Sequence, residues 1–150
     1  MANHPLKESI TEAMKDAMRA KDKPRLGTIR LILAELKRIE VDERIDIEDD
    51  RVISILDKMT KQRRESIRQY EAADRQELAD VEKFEITVIQ DFLPAALDDS
   101  EIASIVAQAI SDTGASSMKE MGAVMNIVRP QLMGRADLSV VSLQVKQQLS

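Results

Sequence analysis

The stretch Asp22-Lys-Pro-Arg-Leu-Gly-Thr-Ile-Arg-Leu-Ile-Leu-Ala-Glu-Leu-Lys-Arg-Ile39 decides the fold. Leu26, Ile29, Ile32, Leu33, Leu36 and Ile39 recur three or four positions apart, which gathers them on one side of a helix and rules out the strict alternation of a strand. Asp22 carries a short acceptor that can cap the first turn. Pro24 falls inside that turn, where a missing amide donor costs nothing. The spacing predicts one long amphipathic helix.

The same period extends in both directions. Leu6, Ile10, Ala13, Met14, Ala17 and Met18 predict an earlier helix from about Pro5 to Ala20. Downstream, the acidic run ending at Asp50 marks a loop and suits the positive end of a third helix, from about Arg51 to Ala72. A fourth, from about Arg75 to Phe92, ends before Pro94 because the residue preceding proline is pushed out of the helical region. Asp98-Asp-Ser-Glu101 has the form of a capping box with Asp in the capping place. It opens a fifth helix through Ile110, which Asp112-Thr-Gly114 closes. Ser117-Met-Lys-Glu120 opens a sixth, and Asp137 caps a last one carrying Leu138, Val141, Val145 and Leu149. The expected fold is all-α, an N-terminal bundle of about four helices followed by a smaller C-terminal unit of about three.

Charge places the boundary between them. Residues 1–93 hold 18 Lys or Arg and 21 Asp or Glu, whereas residues 94–150 hold 4 and 6. Two subdomains, 1–93 and 94–150, are therefore expected. The net charge of −5 argues against wholesale coating of nucleic acid while leaving room for local basic faces. With two Phe, one Tyr and no Trp, a base-stacking platform is not expected, so any RNA contact would work through backbone and shape. Cysteine is absent and His4 is the only histidine, near a terminus expected to fray. Thiolate and histidine metal sites and histidine-based triads are thereby excluded. No cofactor is expected, since the dispersed glycines form neither a P-loop nor a dinucleotide fingerprint. An enzyme acting alone is not expected. The N-terminal residues lack an apolar signal core, and no stretch approaches the roughly 20 apolar residues that span a bilayer. No membrane association and a cytoplasmic location are the expectations.

Several residues break the helical pattern. Arg63 lies within the face of Leu56, Met59, Ile67 and Tyr70, and Glu85 within that of Leu78, Val81, Ile89 and Phe92. If these helices form an antiparallel hairpin, the two charges sit at one height and are expected to form a partly buried ion pair. On the second helix Lys23, Arg30 and Lys37 repeat every seven residues around Gly27 and Ala34. Such small residues framed by cations either let a phosphate backbone approach or seat a neighbouring helix while the cations reach past it. Lys61, Arg64 and Arg68 share a face of the third helix that reads as solvated. In Gly122-Ala-Val-Met-Asn-Ile-Val-Arg-Pro-Gln-Leu-Met-Gly-Arg-Ala-Asp137, Gly122 permits close approach, Pro130 removes a helix hydrogen bond and Gly134 can end the helix left-handed. Lys119, Gly122, Asn126 and Arg129 align on one side, with Met118, Met121, Met125, Val128 and Leu132 on the other. Arg129 and Arg135 could there grip a phosphate or carboxylate, or this side could simply pack.

The runs Asp22 to Lys37, Lys61-Gln-Arg-Arg-Glu-Ser-Ile-Arg-Gln-Tyr70, Asp91-Phe-Leu-Pro94, Met121-Gly-Ala-Val-Met125 and Gly134-Arg-Ala-Asp137 resemble the GatB/YqeY family over the whole chain, in its stand-alone form. The resemblance implies two helical subdomains similar to the C-terminal tail of the B subunit of the glutamine-dependent tRNA amidotransferase. That tail helps engage tRNA, while amide transfer and phosphorylation belong to domains this chain lacks. A label of carbon–nitrogen ligase activity with glutamine as amide donor would describe the relatives. Met133 stands where the family is often basic and Leu138 where it is often glycine, which removes one cation from the C-terminal grip.

Two readings follow. The first is a non-catalytic accessory module that docks structured RNA, tRNA above all, through Lys119, Arg129 and Arg135 and through Lys23, Arg30 and Lys37. The alternative is a helical protein–protein interaction adaptor of the translation or tRNA-charging machinery, contacting a synthetase or amidotransferase. Oligomeric state is not legible.

Overall fold

The computed structural model describes residues 5–150, and every described element is helical. The order is α1 (Pro5–Arg19), α2 (Lys23–Glu43), α3 (Asp49–Ala72), α4 (Gln76–Gln90), α5 (Asp99–Thr113), a 3₁₀ turn (Met118–Glu120), α6 (Met121–Leu132) and α7 (Leu138–Leu149). Among the described residues there is no strand. The chain forms two compact units, one ending at Leu93 and the other running Pro94–Ser150. His4 lies outside the described residues.

The N-terminal unit is built on the apolar side of α2. Ile29, Ile32 and Leu36 are buried with Ile10 of α1, Val52, Leu56 and Met59 of α3, and Val88 and Ile89 of α4. Each fully buried aliphatic side chain contributes roughly 1.5–3 kcal/mol over leaving it in water. Local chemistry sets the turns. Asp22 accepts a bond from the Arg25 amide at 3.3 Å, opening α2. Arg44 ends that helix in the left-handed conformation, at φ 55°. The α3–α4 hairpin reverses at Asp74, also left-handed.

In the C-terminal unit Ile102, Val106 and Ala109 of α5, Val124, Val128 and Leu132 of α6, and Val141 and Val145 of α7 form a second core. Asp98 accepts from the Glu101 amide at 2.7 Å and Asp137 from that of Ser139 at 3.0 Å. Gly114 and Gly134 supply the positive φ values that turn the chain after α5 and α6.

Several expectations shift. α3 begins at Asp49, so Asp49 and Asp50 lie inside its first turn rather than before it. α4 stops at Gln90, and the next residues tighten into 3₁₀-type bonds, Asp91 to Val88 and Phe92 to Ile89. α5 continues to Thr113. Met18, Val81 and Met118, read as members of apolar faces, are 49%, 55% and 43% exposed. In α4 the expected face is largely inward, with Ile89 and Phe92 buried and Leu78 and Glu85 half-buried, and of the residues read on it only Val81 points outward.

Candidate functional site

The row on α2 stands open to solvent. Lys23, Arg30 and Lys37 are exposed, as are Gly27 and Ala34 between them. Seven residues of helix advance roughly 10.5 Å, so the cations form a line with that step. Among the described residues none of the three makes an ion pair. The neighbouring cations differ. Arg25 bonds Asp91 at 2.6 Å and lies over the Phe92 ring, and Arg38 bonds Glu35 and Asp42. A Cβ added at Gly27 would meet nothing within 4 Å, so no helix is seated there. The helix packs through its other side, at Thr28, Ile29, Ile32 and Leu36. Lys23 also sits in the first turn of α2, which holds no acid. Its charge therefore adds to the positive end of the helix dipole.

Beside this row lies a groove that the sequence reading missed. It has a volume of about 620 Å³ and is walled by Lys23, Gly27 and Leu31 of α2 and by Asp80, Val81 and Phe84 of α4. Leu31 and Phe84 are 50% and 40% exposed. Leu31 follows Gly27 by four, and Phe84 follows Asp80 by four, so spacing places each pair on one face of its helix without saying that the two faces meet.

In the C-terminal unit, Lys119, Gly122, Asn126 and Arg129 are all exposed. Among the described residues neither Lys119 nor Arg129 makes an ion pair, and a Cβ at Gly122 would meet nothing within 4 Å. Pro130 lies inside α6. It cannot donate to the carbonyl four residues back. Arg135 does not stand with Arg129 as an open grip. Its Nε donates to the Ala95 carbonyl at 3.4 Å, and its own carbonyl accepts from the Leu97 amide at 2.9 Å. Half-buried, it ties the segment before α5 to the turn after α6.

Arg63 Nε donates to Glu85 Oε2 at 2.8 Å and lies 3.9 Å from Glu82, while its Nη1 donates to the Met59 carbonyl. Burial pushes the Glu82 carboxyl above its ordinary pKa and the charge of Glu85 adds to this, with Arg63 opposing. The hydrogen bond from Arg38 holds Glu35 below its ordinary value. Arg68 on α3 is compensated by Glu65 at 3.4 Å, in keeping with a solvated face. Among the described residues no cluster of three or more His, Cys, Asp or Glu could hold a metal ion, and no helix is long and apolar enough to cross a membrane.

Residues 7–149 match the family described as YqeY-like protein. The chain belongs to the YqeY-like family. Among relatives of this YqeY-like chain is the protein named "Altered inheritance of mitochondria protein 41, mitochondrial" of Pyrenophora tritici-repentis, 30% identical over 89% of this chain and 75% of that protein. The proteins of that name from Clavispora lusitaniae and Kluyveromyces lactis are 35% and 30% identical, over 63% and 69% of this chain. The chain spans 56% and 58% of the length of those two. These names correct the expected cytoplasmic location, since they point to mitochondria instead. Lack of an apolar signal core bears on secretion and does not separate cytoplasm from an organelle.

Proposed function

We propose that this YqeY-like chain is a non-catalytic accessory module that docks structured RNA, tRNA above all, by its sugar–phosphate backbone. The reading extends the family resemblance to the tRNA-binding tail of the amidotransferase B subunit. The observation that carries it is the exposed line of Lys23, Arg30 and Lys37, without ion pairs among the described residues, beside the open position at Gly27. Three cations in line favour a polyanion, and small residues between them let its backbone approach. Lys119 and Arg129, also unpaired among the described residues and next to open Gly122, form a second contact of the same kind. Scarce aromatic residues direct recognition to shape rather than to bases.

A tRNA titration with the purified chain tests the reading. Affinity should fall steeply with salt, and the triple variant Lys23→Glu, Arg30→Glu, Lys37→Glu should bind at least about tenfold more weakly, with a shallower salt slope. Equal binding of tRNA and a size-matched unstructured RNA at low salt would defeat it.

The second reading, a polypeptide adaptor, is favoured by Val140 and Leu143 of α7, 39% and 58% exposed and three residues apart on one face. Retention of a synthetase or amidotransferase after nuclease treatment, with no tRNA bound at low salt, would select it.

A further inference from the structure

We infer that the groove between α2 and α4 receives one unpaired guanine of the bound RNA, stacked on Phe84 with its Watson–Crick edge on Asp80. The inference rests on the RNA reading above and extends it from the backbone to a single base. Leu31, Val81 and Phe84 expose 50%, 55% and 40% of their surface along the groove. Grouped apolar side chains of this kind mark a surface that another molecule covers. A phosphate backbone supplies no apolar cover, whereas a base turned out of its stack offers two apolar faces.

Continuity with the cation row points to RNA as the occupant. Lys23 and Gly27 belong to both the row and the groove wall. A strand tracked by Lys23, Arg30 and Lys37 therefore passes along the rim of the groove. At Gly27, where a Cβ would meet nothing within 4 Å, one of its nucleotides has room to turn inward. Charge then orients that nucleotide. Lys23 stands on the α2 wall and Asp80 on the α4 wall, so phosphate is held at α2 and repelled from α4. What reaches Asp80 is an uncharged hydrogen-bond donor. The scarcity of aromatic residues excludes a platform for several bases, but one exposed ring serves one base.

Asp80 selects among the bases. Among the described residues it makes no ion pair and accepts one bond, from the Gln76 amide at 2.8 Å. Phe84 lies one turn further along the same face of α4, so a base stacked on the ring carries its edge towards the carboxylate. An ionised carboxylate only accepts. Guanine alone presents two adjacent donors, its ring N–H and its exocyclic amine, and engages both oxygens. Adenine and cytosine set one donor beside an acceptor, and uracil sets its N–H between two carbonyls. Each of these turns a lone pair against the carboxylate. The other acid of the lining, Glu85, is already matched by Arg63.

Titration of the full chain with RNA hairpins of one fixed stem, each carrying a single unpaired nucleotide, tests the assignment. The guanine hairpin is expected to bind about tenfold or more tightly than its adenine, cytosine and uracil counterparts. An inosine version, which lacks the exocyclic amine, should lose most of that advantage. Asp80→Asn, at an exposed site, should abolish the preference and leave the salt dependence unchanged. Phe84→Ser should weaken binding of the guanine hairpin by about tenfold or more and leave a fully paired hairpin unaffected, with helicity checked by circular dichroism. Should Phe84→Ser fail to fold, Asp80→Asn and inosine carry the test unaided. The triple variant of the cation row should weaken every hairpin, the fully paired one included, which separates row from groove. Salt-dependent binding indifferent to the unpaired base and to both groove variants would overturn this inference and leave the RNA reading standing. No binding of any hairpin or of tRNA at low salt would overturn both. A polypeptide or a second copy of the chain held in the groove while RNA is bound would overturn the guanine assignment as well.

Discussion

Arg63 and Glu85 meet at 2.8 Å across the α3–α4 hairpin, with side chains only 14% and 16% exposed. The guanidinium also lies 3.9 Å from Glu82, so one cation serves two half-buried carboxylates. Removing the cation leaves both carboxylates partly desolvated without a partner. Arg63→Met is therefore expected to cost about 2 kcal/mol in urea unfolding, below the range for fully buried pairs because water still reaches this one. Replacing both partners, Arg63→Met with Glu85→Leu, should recover more than half of that loss. Equal costs for the single and double variants would show that the pair does not organise the hairpin.

Glu82 gives the same hairpin a pH dependence. Its pKa is raised in the folded chain, first by burial and then by Glu85. The folded state thus holds the proton more readily than the unfolded state. The stabilising contribution is complete below the ordinary carboxylate pKa and is lost as pH rises through the raised value. Glu82→Gln removes this dependence. It should stabilise the chain near neutrality by up to about 0.5 kcal/mol, with the difference from wild type vanishing in acid, as thermal unfolding across pH will reveal.

Gly27 and Gly122 lie inside helices, and a Cβ at either meets nothing within 4 Å. Alanine there relieves the entropic cost of a helical glycine, so each substitution should stabilise the chain by about 0.5–1 kcal/mol. If RNA backbone approaches these positions, the same substitutions weaken tRNA binding. Improved stability with unchanged tRNA affinity would remove both glycines from the contact surface.

Arg44 occupies a left-handed conformation at the end of α2, which costs a residue with a Cβ roughly 1–2 kcal/mol. Arg44→Gly should raise stability by about 1 kcal/mol, measured by chemical denaturation.

Arg135 and Arg129 are expected to separate cleanly. Arg135→Ala loses the bond to the Ala95 carbonyl and should destabilise the C-terminal unit by about 0.5–1 kcal/mol. Arg129→Ala, at an exposed site without an ion pair among the described residues, should leave unfolding unchanged and reduce tRNA affinity. The reverse pattern would exchange the two roles.

The helix starts at Asp22, Asp98 and Asp137 were legible because capping is settled within three residues of chain. So was the meeting of Arg63 with Glu85, since a charge inside an apolar stripe demands a partner and a hairpin leaves few choices. Val81 was misread for the opposite reason. α4 carries apolar residues on more than one side, and periodicity does not say which side the bundle covers. Arg135 could not be resolved locally either, because the carbonyl it reaches is 40 residues away. The groove stayed hidden because its walls come from helices about 50 residues apart in the chain, α2 and α4.

The buried residues around Ile32 and those around Val128 have no member in common. Amide protons in the two sets are therefore expected to exchange with different opening energies and to respond to different mutations. A lesion at Leu132 should strip protection from α5–α7 while leaving that of α2 and α3 in place, so calorimetry of the whole chain would resolve two cooperative events where a 150-residue protein is ordinarily given one.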